Sequence, residues 1–226
     1  MNIKKNWWKI LASGLLLYTV IMGFLGTVPA REILNETIRN LYFHVPMWFG
    51  MMTLLFVSVI YGIRYLNKGN IKHDIIAREA AHTGVIMGII GLITGSLWAR
   101  YTWGTWWTSD TKLNGAAITM LIYFAYFVLR GSVEDENKKA RLSAVYSIFA
   151  FVMMIVFIMI LPRMQDSLHP GNGGNPGFSK YDLDSKMRMV FYPAIIGWIL
   201  LGVWILNVRT RLALLEEHYL NTGIKK

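Results

Sequence analysis

The sequence predicts an all-α fold, a polytopic membrane bundle of six transmembrane helices with the N- and C-termini both cytoplasmic. Three observations predict it. Apolar residues make up 54% of the 226-residue chain and charged residues only 16%, too little charge to cover a soluble domain of this size. The apolar residues come in long blocks instead of recurring at the helical or strand period, and blocks of about 18 or more match the hydrocarbon core of a bilayer. Lysine and arginine are unevenly shared between alternate loops, as the positive-inside rule requires of a spanning bundle.

Taken in order, the blocks cover about 8–28, 47–65, 80–97, 113–129, 142–161 and 189–208. The first, with Lys4 and Lys5 ahead of it and Val28-Pro29-Ala30 behind, mimics a signal peptide. Its apolar run exceeds a typical signal core and Pro29 is a poor neighbour for a cleavage site, so a retained first helix is expected. Pro46 is placed to occupy the first turn of the second helix. The spans leave only short connections, so residues 1–226 are read as one integral membrane domain with outer loops at 29–46, 98–112 and 162–188. No internal repeat is visible, and the inverted-repeat design of secondary transporters has no support.

Of the 23 lysines and arginines, 15 fall on the side of the termini, counting Lys9 and Arg64 at the helix ends, and 8 on the side of the three outer loops. This bias explains the net charge of +10 without a nucleic-acid partner. The inner loops are short and mixed in sign, and no chemistry is assigned to them. The absence of cysteine excludes thiolate metal ligands, dithiol exchange and thioether attachment of haem.

The outer loops differ in kind. Trp98, Trp103, Trp106 and Trp107 are four of the nine tryptophans, gathered in one loop around Gly104 and Asp110. An interfacial aromatic belt spreads such residues over all loops. A shelf of indoles suits a large, flat, amphipathic ligand, and Lys112 or Arg100 can pair with its carboxylates. A porphyrin meets that description. Two of the five histidines also fall on the outer side. His44 lies in Tyr42-Phe43-His44-Val45-Pro46, where a helix N-terminus disfavours imidazolium. His169 precedes the glycine-rich stretch 171–177. Paired histidines from two loops are candidate axial ligands for one haem iron, with Trp103, Trp106 and Trp107 as the shelf. Asp110 either fixes the loop by accepting hydrogen bonds or contacts the ligand. The haem would be haem b, held non-covalently and reversibly.

These residues resemble a known family. The run Trp103-Gly-Thr-Trp106-Trp107-Thr-Ser-Asp110-Thr-Lys112-Leu113, with His44-Val45-Pro46 and Leu168-His169, resembles the "WWD" loop and the two outer histidines of the haem-handling proteins of cytochrome c biogenesis. Length and span number point to its small CcmC type. The likeness runs from about Leu41 to Arg211. Two residues depart from the pattern: Ser109 stands where the family usually has Trp, and Lys112 where it has Arg, which keeps the charge but not the planar fork. The resemblance implies a haem-binding delivery protein, not an enzyme, in the bacterial inner membrane with its haem site on the periplasmic face. It implies transfer to a CcmE-like haem chaperone, and work beside ABC-type transporter subunits, whose ATPase supplies the energy, and a small single-span subunit. The chain itself has no Gly-x-x-x-x-Gly-Lys loop.

Three other readings of the residues stay open here. A cytochrome b-type electron carrier also uses paired histidines, normally inside a helical bundle, and His82 is its candidate. A small-solute permease would break its helices at the midplane with polar residues. A structural assembly subunit would bind no haem, its tryptophans being only an interfacial belt.

Overall fold

The computed structural model describes residues 3–29, 34–169 and 183–222. The glycine-rich stretch 171–177 lies outside these residues, as do Arg31, Lys180, Lys225 and Lys226. The elements are α1 (Ile3–Leu25), a 3-10 segment (Asn35–Asn40), α2 (Leu41–Lys68), α3 (Ile71–Trp103), α4 (Thr111–Gly131), α5 (Glu136–Met154), a π-helical turn (Ile155–Ile160), α6 (Leu161–Met164) and α7 (Ser185–Thr222). Among the described residues there is no strand, and 6 helical stretches are long and apolar enough to cross a membrane.

The helices overrun the expected blocks because polar residues at their ends carry on the same backbone hydrogen bonding. The difference that bears on the site is at α2. It begins at Leu41, continuous with the 3-10 segment, and Pro46 sits inside it. Proline lacks an N–H and so removes one bond, that to the carbonyl four residues earlier; this close to the N-terminus the helix tolerates the loss. His44 therefore rides on a helix instead of hanging in a loop.

Helix α1 runs antiparallel to α7: Trp8 meets Trp204 edge-on at 6.3 Å, and the Tyr18 hydroxyl donates to the Met189 carbonyl at 3.3 Å. The two chain ends thus share one end of the bundle. Arg39 closes the far end of α1 by donating to the carbonyls of Gly23 (3.0 Å) and Gly26 (2.6 Å), which that helix terminus leaves without partners.

The central contact is α2 against α3, and glycine makes it close. Gly84, Gly88, Gly91 and Gly95 form one stripe of α3. A Cβ added at these positions would lie 2.9 Å from Leu55, 2.8 Å from Met51, 2.9 Å from Trp48 and 2.7 Å from His44. In lipid, where apolar burial between helices gives little drive, such close packing replaces it. The main core of Met51, Leu54, Leu55, Val85, Met120, Tyr123 and Met154 grows around this seam. A second cluster of Ile38, Tyr42, Leu183, Met187 and Phe191 fastens the 3-10 segment to the start of α7.

Helix α5 widens to π geometry at Ile155–Ile160, just before Pro162. Proline at 162 cannot donate to the carbonyl of Ile158 and its ring crowds that oxygen. Wider bonding, from the Leu161 N–H to the Val156 carbonyl, absorbs the conflict. Ile158 and Met159 of this turn face the cavity described below.

The opposite end is tied by ion pairs on two buried carboxylates. Arg130 holds Asp74 through two hydrogen bonds, at 2.8 and 2.5 Å, and Glu79 accepts from Arg78 and Arg209, each at 2.8 Å. Asp74 and Arg130 are 4% and 8% exposed, so Asp74→Ala strands a buried guanidinium. A loss of about 3–5 kcal/mol is expected for breaking such a pair. Thermal unfolding in mild detergent measures it, with the Asp74→Ala/Arg130→Met double variant recovering much of the difference. A single variant that melts with the parent would show the pair to be screened.

Candidate functional site

The site forms where α2, α3, α4, the segment after α5 and α7 end together. Helix α3 stops at Gly104, whose φ of 78° is the left-handed conformation that ends helices. The tryptophan loop then folds back on its own helices. Ser96 Oγ donates to the Trp106 carbonyl at 2.7 Å, Thr105 Oγ1 to the Trp107 carbonyl at 3.0 Å, and Trp107 Nε1 to Asn114 Oδ1 at 3.1 Å. Arg100 donates to the Gly104 carbonyl.

Asp110 is the hub. As the N-cap of α4 its Oδ1 accepts from the backbone N–H of Lys112 (2.9 Å) and Leu113 (3.3 Å), the ordinary use of Asp at a helix start. Its Oδ2 accepts from Ser167 Oγ at 2.8 Å and the Leu168 N–H at 2.7 Å, and His169 Nδ1 lies 2.9 Å from Oδ1. Burial pushes the Asp110 carboxyl up, but His169, Ser167 and the Leu168 N–H outweigh burial and hold it well below the usual carboxylate range. An ionised carboxylate only accepts, so His169 Nδ1 carries the hydrogen of this contact. Trp103 packs edge-on against His169 at 5.0 Å and against Trp98 at 5.4 Å, with Trp98 6.0 Å from His169.

His44 is prepared in the same sense by a different route. Thr94 Oγ1 has one hydrogen and spends it on the carbonyls of Ile90 (2.9 Å) and Gly91 (3.1 Å). It therefore accepts from His44 Nδ1 at 3.1 Å. The hydrogen-bond network again assigns the Nδ1–H tautomer, and His44 Nε2 accepts from the indole N–H of Trp48 at 3.3 Å.

A cavity of about 380 Å³ lies between these groups, within the usual range for small-molecule sites. His44, His169, Trp107 and Lys112 all line it, as do Trp48, Trp98, Ser96 and Arg163. The rest of the wall is largely apolar, from Leu41, Val45, Phe49, Leu92, Leu113, Ile158 and Met187. Both expected histidines thus face one space. Trp103 and Asp110 stand against His169 without lining the cavity, while Trp106 and Arg100 are exposed and form no part of its wall. Sequence reasoning passed over Trp48, Thr94, Ser167 and Arg163. Among the described residues no cluster of three or more His, Cys, Asp or Glu is arranged to hold a bare metal ion. His82 stacks on Phe127 at 4.3 Å and is not part of the cavity wall.

The sequence profile of the family described as "Heme exporter protein C", CcmC, matches residues 2–224. The chain belongs to the CcmC family. It is 27% identical over 209 residues to the heme exporter protein C of Rhodobacter capsulatus, covering 90% of this chain and 84% of that one. With the Paracoccus denitrificans protein of the same name it shares 26% identity over 194 residues, covering 85% of this chain and 78% of the relative. The Escherichia coli K12 relative, also called heme exporter protein C, is 26% identical over 203 residues, covering 87% and 78%. These relatives thus match along most of their length.

Proposed function

We propose that the chain binds haem b non-covalently on the periplasmic face of the bacterial inner membrane and delivers it to a CcmE-like chaperone for cytochrome c maturation. It acts as a delivery subunit, not a catalyst, beside ABC-type transporter subunits and a small single-span protein. The family and the names of its relatives support haem handling. The observation that carries the site is the pair of histidines from different elements, both with Nδ1–H tied back and both lining one cavity. Neutral imidazoles offering Nε2 are what haem iron requires.

In this reading iron sits between His44 and His169. The ring packs among Trp107, Trp98 and the apolar wall, and Trp103 steadies His169. Lys112 supplies positive charge for the propionates, and Arg163 and Arg100 serve only if they leave the carbonyls of Met159 and Gly104. The buried N–H of Trp98 has no acceptor among the described residues, which suits an acidic group nearby. Asp110 acts on haem through His169.

The test is the optical spectrum of the protein purified in mild detergent and loaded with ferric haem. The parent is expected to show six-coordinate low-spin haem. His44→Ala and His169→Ala are each expected to abolish that signature, and Trp107→Ala to weaken binding while leaving it. A parent that takes up no haem, with or without its partner subunits, or histidine variants indistinguishable from the parent, would end the assignment. Transfer to purified chaperone, followed by the same spectrum, then tests delivery.

A further inference from the structure

We infer that Trp48 is a latch on His44, its indole N–H filling the ring nitrogen meant for iron, so that His44 is the exchangeable axial ligand and His169 the fixed one. This rests on the haem reading of the cavity.

Trp48 lies four residues beyond His44 on α2, one turn along the same face. The rings meet edge-on, 6.1 Å apart at 79°, with Nε1 donating to Nε2 at 3.3 Å. Because Nδ1 of His44 is committed to Thr94, Nε2 holds the only lone pair left on the imidazole. The indole is housed: at Gly91 a Cβ would lie 2.9 Å from Trp48 Cε2, so only glycine leaves this slot. Trp48 also lines the cavity, which gives the ring somewhere to turn when iron arrives.

The two ligands are held unequally. His169 donates to a carboxylate that accepts hydrogen bonds at both oxygens, a charge-assisted bond roughly twice as strong as a neutral one that also makes the imidazole a better ligand. His44 donates to a neutral hydroxyl, and its vacated nitrogen has an alternative partner waiting. Binding iron breaks the Nε1–H···Nε2 hydrogen bond and forms Fe–Nε2; release reverses both. No proton leaves the indole and no electron moves. The open state therefore carries one extra hydrogen bond, and haem lets go first on the His44 side. That is useful for a cargo, which must leave.

The experiment compares the full-length parent with Trp48→Phe, which keeps an aromatic ring and removes the N–H. Ferric haem-loaded protein is titrated with cyanide, which binds iron only where a histidine has left. Without the latch, cyanide affinity falls and haem affinity rises, each by about two- to tenfold, the size of one neutral hydrogen bond. Trp204→Phe, at the other end of the bundle, leaves both unchanged. A Trp48→Phe protein with parental cyanide affinity overturns the latch, and so does one that binds haem more weakly, which would make Trp48 a haem contact. A second measurement needs no haem. The indole N–H resonance of Trp48, identified by its absence from Trp48→Phe, shifts when His44→Ala removes the acceptor; an unmoved resonance also overturns the proposal. Failure of the parent to form six-coordinate haem instead removes the underlying haem reading.

Discussion

Asp110→Asn is expected to lower haem affinity by about 10- to 100-fold, the usual consequence of losing a partner that orients a metal-binding histidine, while leaving the helix bundle folded. The prediction follows from what one carboxylate does here. Its two oxygens together receive two α4 N–H groups, the Ser167 hydroxyl, the Leu168 N–H and His169 Nδ1. Asparagine caps a helix about as well as aspartate, so α4 keeps its start. But an amide has one accepting oxygen, and its NH₂ would face donors where an oxygen stood. The segment carrying His169 is released and its tautomer is no longer set. Haem titration separates this from a general loss of structure, because melting should change little. An Asp110→Asn protein with parental haem affinity would reduce Asp110 to a helix cap.

The pH dependence has a definite sign. The folded-state pKa of Asp110 is depressed, so its clamp is present everywhere above the ordinary carboxylate value of about 3.9 and is lost only as pH falls through the lowered one. Mild acidification therefore does not open this clamp.

How much of this could be read in the sequence depended on which property each residue exposes there. The six spans were legible because about 20 apolar residues in a row have few other uses. Their ends were not, since hydropathy stops where charge begins but the helix does not. At α2 the run Leu41-Tyr42-Phe43-His44-Val45 continues the apolar pattern, and Pro46 suggested a helix start that the backbone places at Leu41. The two histidines and the tryptophan loop were legible as chemical types at one end of the bundle. Their wiring was not. Thr94 reads as an ordinary span residue, and Trp48 disappears into an apolar block. That Arg163 lines the cavity while Arg100 turns to Gly104 is decided by the path of two loops, which periodicity does not encode. One missed signal was in plain view: Gly84, Gly88, Gly91 and Gly95 recur at steps of four, three and four, the spacing of a close helix contact in lipid.

That stripe supports the second large effect: Gly95→Ala is expected to abolish six-coordinate haem. The added methyl carbon would lie 2.7 Å from His44 Cε1 and 3.4 Å from both ring nitrogens, well inside van der Waals contact for the first. The ring has to move, which pulls Nδ1 from Thr94 and turns Nε2 off its line. Helix α3 cannot simply back away, because Gly91 against Trp48 and Gly88 against Met51 hold the same seam at comparable distances. Overpacking of this kind costs about 1–3 kcal/mol, and alanine returns about 1 kcal/mol over glycine as a helix former. Stability should thus fall little while the coordination signature is lost, leaving haem on His169 alone with a five-coordinate, high-spin spectrum. Gly14→Ala is the matched control, since a Cβ there meets nothing within 4 Å, and it should keep the parental spectrum. A Gly95→Ala protein that kept it too would mean that the glycine serves helix packing alone and that His44 tolerates displacement. If the spectrum does change, a residue without a side chain sets the geometry of one that binds iron.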